Sequence, residues 1–105
     1  MNDRELLELA AKAAGVSWEG VLEDGGVFVL NGRQWDPIND SAEALDLAGG
    51  VGLAVDFSVP GRVQVAGPCG IGLEEYLTDH DHSQMKAARY AIVRAAAAIG
   101  TPRSD

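Results

Sequence analysis

The chain reads as an α+β domain, a small antiparallel sheet packed with helices as a sandwich in the order α-β-β-α-β-β-α. Three observations carry that reading. Apolar residues recur at helical spacing at both ends, in Leu6, Leu9, Ala10, Ala13 and Ala14 and again in Met85, Ala88, Ile92, Ala95, Ala96 and Ile99. Between them, Val27-Phe28-Val29-Leu30 and Arg62-Val63-Gln64-Val65-Ala66 are β-branched or alternating runs bounded by turn residues. Aromatics are confined to Trp18, Phe28, Trp35, Phe57, Tyr76 and Tyr90, so aliphatic and alanine side chains must fill most of the core. That favours close-packed helices on a small sheet. The 105 residues suit one domain, residues 1–100, with Thr101 to Asp105 as a free tail.

The elements follow in order. Asn2 caps the first helix, with Glu5 completing a capping box, and Gly15 ends it. Trp18 to Leu22 and Val27 to Leu30 form strands joined by a turn at Glu23-Asp24-Gly25-Gly26. Asn31-Gly32 turns Arg33-Gln34-Trp35 back along the sheet or over its edge. Pro37 bars a helix from crossing that point, and Asp40 caps the second helix, with Ala44, Leu45, Leu47 and Ala48 inward. Gly49-Gly50 are expected to stop it. Leu53 to Phe57 and Arg62 to Ala66 form a hairpin around Val59-Pro60-Gly61. Gly67 to Gly72 reads as an irregular loop, and Leu73 to Leu77 as room for one helical turn. The last helix spans His82 to Ile99, capped by Asp81 and closed by Gly100 and Pro102.

Two segments point beyond the fold class. Trp35-Asp36-Pro37-Ile38-Asn39-Asp40-Ser41-Ala42-Glu43-Ala44-Leu45-Asp46-Leu47-Ala48 joins an aromatic anchor, a rigid turn, a cap and an amphipathic start. Ala88-Arg89-Tyr90-Ala91-Ile92-Val93-Arg94-Ala95-Ala96-Ala97-Ala98-Ile99-Gly100 is the closing helix. With these, the chain resembles small phage and prophage proteins, the NinX-like proteins and the related phage α/β sandwich domain. The resemblance covers most of the chain and implies a phage accessory gene, without supplying an activity. The chain departs from that pattern at Gly49-Gly50-Val51-Gly52, in place of a longer apolar helix end, and at the Gly67-to-Gly72 loop.

Charge narrows the functional classes. The formal net charge is −8, and it is unevenly spread. From Glu19 to Asp56 eight acids face Arg33 alone, whereas His82 to Ser104 holds Lys86, Arg89, Arg94 and Arg103 and no acid. Such a field repels nucleic acid and attracts basic partners; the plainer reading is solubility. The single Cys69 excludes an internal disulfide and suits a reducing compartment. With no signal-like segment and no apolar run of about 20 residues, the expectation is a soluble protein of the bacterial host cytoplasm, away from membranes.

The chemical motifs are weak. Asp79-His80-Asp81-His82 offers metal-type ligands, but residues two apart diverge on a helix, so no metal is expected. Gly67 to Gly72 lacks the lysine of a phosphate loop, and Glu74 and Glu75 would repel a polyphosphate. Cys69 as a nucleophile would need His80 or His82 beside it. Arg89 and Arg94 lie on different faces of the last helix, one of them placed to pair with acids of the Asp40-to-Asp46 helix.

The reading is therefore a non-enzymatic, phage-encoded interaction protein with no cofactor and no catalytic residues. The expectation is an inhibitor of a host defence system, of the anti-CRISPR kind, whose acidic surface binds a host protein with a basic surface. The expected contacts are Glu19, Glu23, Asp24, Asp36, Glu43, Asp46, Glu74 and Glu75. A structural or replication-accessory phage protein is the alternative, and a small enzyme or metal protein using Cys69 to His82 a third. The oligomeric state, a homodimer included, stays open.

Overall fold

Asn2 starts helix α1 (Asp3–Ala14) by accepting a hydrogen bond from the Glu5 amide at 2.9 Å, and Gly15 ends it in the left-handed region. The computed structural model describes residues 2–15, 20–21, 28–30 and 33–101. Strands β1 (Gly20–Val21), β2 (Phe28–Leu30) and β3 (Arg33–Trp35) form one antiparallel sheet, with Phe28 opposite Trp35. Helix α2 (Ser41–Val51) leads into a second antiparallel sheet of β4 (Ala54–Asp56), β5 (Arg62–Ala66) and β6 (Gly72–Tyr76). Helix α3 (Gln84–Gly100) closes the fold. The class is α+β, as the sequence predicts, but each expected pair of strands is a triplet. The turns at Glu23 to Gly26 and Asn31-Gly32, Val27, and the tail beyond Thr101 lie outside the described residues.

Gly72 to Tyr76 is the main correction. Where a glycine-rich loop and a helical turn are expected, the chain makes single 3-10 turns at Pro68–Gly70 and Leu77–His80 around strand β6. Pairing with β5 decides this: Val65 lies opposite Leu73 and Val63 opposite Glu75. The alternation is present in Leu73-Glu74-Glu75-Tyr76, but a carboxylate occupies an inward position and hides it.

α3 is the centre of the packing. Its buried residues include Ala87, Ala88, Ala91, Ile92, Val93, Ala95, Ala96, Ala97 and Gly100, far more than one stripe. The breadth follows from position: α3 packs against α1 and α2 as well as β5 and β6. Among the described residues α3 is the helix that packs on β4-β5-β6, while α1 and α2 pack on α3. The expectation that α2 and α3 share a sheet containing Val27 to Leu30 is therefore replaced. Trp35 and Pro37 are buried, so the aromatic anchor and its turn close one edge of the core.

Three helix boundaries shift. Ser83, not Asp81, caps α3, accepting from the Lys86 amide at 3.2 Å. Asp81 and His82 instead hold left-handed backbone, with φ of 56° and 59°, a conformation rare for residues with a β-carbon. Gly100 continues α3 rather than ending it.

α2 likewise runs through Gly49 and Gly50 to Val51, with Gly52 supplying the left-handed cap at φ 78°. Val51 packs against the core, and that burial offsets the low helix propensity of two glycines. A β-carbon on either glycine meets nothing within 4 Å. Alanine at Gly49 or Gly50 should therefore stabilise the protein by about 0.5–1 kcal/mol each. Chemical denaturation would show it as a higher midpoint at unchanged slope; no gain would mean α2 frays before Gly49.

Candidate functional site

The acids expected as partner contacts fall in four places. Glu19, Glu23 and Asp24 lie outside the described residues. Asp36 is half-buried in the turn before α2, where its carboxylate accepts from Asn39 Nδ2 at 2.8 Å. Glu43 and Asp46 project from α2, whose cap Asp40 holds the Ala42 and Glu43 amides at 2.9 and 3.3 Å. Glu74 and Glu75 are separated by the pleat of β6, which sends successive side chains to opposite faces.

Glu75 is not a surface residue. It is 8% exposed on the inner face of the sheet, where Oε1 bonds His80 Nε2 at 2.7 Å and Oε2 accepts from Arg94. The His80 ring lies 5.4 Å from that of Tyr90. Burial, followed by the charge of Asp3 and then that of Glu75, raises the Tyr90 phenol above its usual range. One carboxylate thus ties β6 to the turn after it and to α3. This removes Glu75 from the expected contact set, because a partner could not reach it.

Glu75→Ala leaves a guanidinium and an imidazole facing a hole. Removing one member of a buried pair costs about 3–5 kcal/mol. Arg94 is 38% exposed, and water will screen it, so we expect the lower end of that range. Thermal unfolding checks this; a melting temperature within a degree of the parent would show that the cluster adds nothing.

The other motifs resolve as follows. His80 is engaged by Glu75, and His82 is exposed on the left-handed turn. Asp81 pairs with Lys86 Nζ at 2.9 Å, which lowers its pKa by hydrogen bonding and charge. Among the described residues no three His, Cys, Asp or Glu converge on one point. Cys69 and His80 belong to turns at opposite ends of five-residue β6, a separation of roughly 13 Å or more along the strand. Arg89 binds the start of α2 through neutral groups: Nε donates to the Ile38 carbonyl at 2.9 Å and Nη1 to Ser41 Oγ at 2.8 Å.

Two exposed features were not legible in the sequence. Leu45, expected inward, is 58% exposed on α2. The outer face of β4-β5-β6 is a shallow concavity of about 560 Å³. Ala54, Ala66 and Gly72 line up across it, as do Asp56, Gln64 and Glu74 in the next row. Arg62 Nη1 sits 3.2 Å from Glu74, whose other oxygen accepts from the Tyr76 hydroxyl at 3.1 Å. The Ser58 side chain and backbone amide hydrogen-bond Asp56 and lower its pKa. The alternation of Gln64 with Val63 and Val65 and the predicted hairpin with Leu53 to Phe57 signalled this outer face and its β4 side, but not β6 on the other side.

No family model matches the chain, and neither a curated protein nor a solved structure matches it. No helix among the described residues is long and apolar enough to cross a membrane.

Proposed function

We propose that this chain works by binding a partner protein with a basic surface, and that the outer face of α2 makes the contact. The observation that carries the reading is Leu45. Successive turns of α2 bring Ala42, Leu45, Asp46 and Gly49 to one side, and all four are exposed. An apolar side chain there has no folding role at such exposure, while small neighbours let another surface approach closely. Asp46 gives this face negative charge, and α2 contains no base.

An exposed aliphatic anchor within an acidic rim suits a partner that offers a small apolar pocket among lysines and arginines. The rim acts mainly on encounter, because long-range attraction raises the association rate. A phage accessory protein of the NinX-like kind could use such a face to occupy the basic nucleic-acid channel of a host defence effector. That is our reading of its role: an inhibitor that acts by occupation rather than catalysis.

The test uses bacterial lysate passed over the immobilised protein at rising salt, followed by variants against whatever partner is retained. Leu45→Glu should abolish retention while leaving the melting temperature within a degree or two. Asp46→Lys should slow association more than it speeds dissociation. Retention that survives both substitutions and high salt would overturn the assignment of this face.

A further inference from the structure

Among the described residues the outer edge of β6 is unpaired, a second surface distinct from α2, and its geometry is specific. The Leu77 amide donates to the Gly61 carbonyl at 3.0 Å, and the Gly67 amide donates to the Ile71 carbonyl at 2.9 Å. These bonds flank the β5–β6 ladder, in which Gln64 pairs with Glu74. Hydrogen-bonded and non-hydrogen-bonded pairs alternate in an antiparallel ladder. The odd-numbered residues of β6 therefore bond to β5. The amide and carbonyl groups of Gly72, Glu74 and Tyr76 point the other way, to an edge that no described strand covers.

We infer that this edge accepts an extended segment of a partner protein as a fourth strand, with a basic residue placed beside Glu74. Main-chain bonding to three alternate residues supplies the docking, and the outer concavity supplies selectivity. The partner residue opposite Glu74 projects onto the same outer face, whose central row holds two carboxylates, Asp56 and Glu74. Arg62 offsets one of them. The residue opposite Gly72 has room to lie over Ala66 and Ala54.

The charge also selects against a second copy of this chain. Antiparallel self-pairing centred on Glu74 would set Glu74 against Glu74, and like charges directly opposite are unfavourable. Among the protective devices common on edge strands, β6 has no lysine, proline or bulge; it carries only Glu74 and the inward Glu75. Arg62, Asp56 and Glu74 together leave the described outer face one net negative charge, which favours a basic strand over an acidic one. Among the described residues the sheet is three strands wide, roughly 15 Å, too narrow for the ~800 Å² per partner of a globular interface but adequate for one segment.

The test uses the full chain, labelled for amide NMR, and two synthetic peptides of alternating lysine–valine and glutamate–valine. The lysine peptide should slow hydrogen exchange of the Gly72, Glu74 and Tyr76 amides by about tenfold or more, and the glutamate peptide should not. Gly72→Pro removes one edge donor at the start of the strand, where proline is tolerated. Ile71, at φ −67° and ψ 129°, already has the backbone that a following proline requires. It should weaken the lysine peptide roughly fivefold to tenfold. Gly72→Ala keeps the donor, meets open space and should bind like the parent. Glu74→Lys should reverse the preference toward the glutamate peptide, an outcome independent of how Gly72→Pro folds. Failure of the lysine peptide to protect any of the three amides overturns the proposal. So does equal binding of both peptides, or an unchanged preference in Glu74→Lys. None of these readouts involves Leu45, so the α2 reading stands or falls separately.

Discussion

Gly100→Ala should unfold this protein at a markedly lower temperature. Gly100 is buried near the end of α3, where α1 crosses it. A β-carbon there would lie far inside van der Waals contact with the Leu9 carbonyl oxygen, 2.9 Å from the Leu9 carbonyl carbon and 3.2 Å from the Ala13 nitrogen. All three are backbone atoms, so no side chain can rotate aside. Relief requires α1 to move away from a helix it contacts along much of its length, loosening the packing of Leu6, Leu7, Ala10 and Ala11. Overpacking a core costs about 1–3 kcal/mol, occasionally more, and a backbone clash belongs at or above the top of that range. For a domain of this size that corresponds to a fall of about 12–25 °C. Thermal melts of Gly100→Ala beside Gly49→Ala give opposite expected signs for the same substitution. A melting temperature of Gly100→Ala close to the parent would mean that the helices are not in contact there.

Trp35→Ala is the second large effect. Trp35 is 5% exposed, ends β3, and belongs to the core cluster shared with α1, α2 and α3. It therefore joins the first sheet to the helices. Truncation removes that burial and opens a cavity beside Pro37, at a cost of about 3–5 kcal/mol. Denaturant unfolding should show an earlier midpoint, and tryptophan fluorescence would then report Trp18 alone. An unchanged midpoint would take Trp35 out of the core and make it a contact residue.

The parts legible in the sequence are those set by local chemistry. The caps at Asn2 and Asp40 depend on a side-chain oxygen reaching amides two or three residues on, and both form. The turn at Pro37 depends on one fixed dihedral. β5 spans Arg62 to Ala66, as its alternation predicts, because one face meets the core and the other does not. The small-residue character of α3 is likewise a property of composition.

Tertiary structure decided what depends on neighbours distant in the chain. β6 is a strand because β5 lies beside it, and Glu75 could be read as a surface acid only until Arg94 and His80 are placed against it. Gly100 reads as a helix end in sequence, where glycine signals a left-handed cap; in the fold it is a close contact, because α1 leaves no room for a methyl group. Leu45 is apolar and so reads inward, yet α2 turns that side to solvent. Local propensity determined where α1 and α2 begin and which segments could be strands. Which carboxylates are buried, which apolar side chain is left outside and which strand edge stays open were decided by packing, since each depends on what the rest of the chain brings alongside.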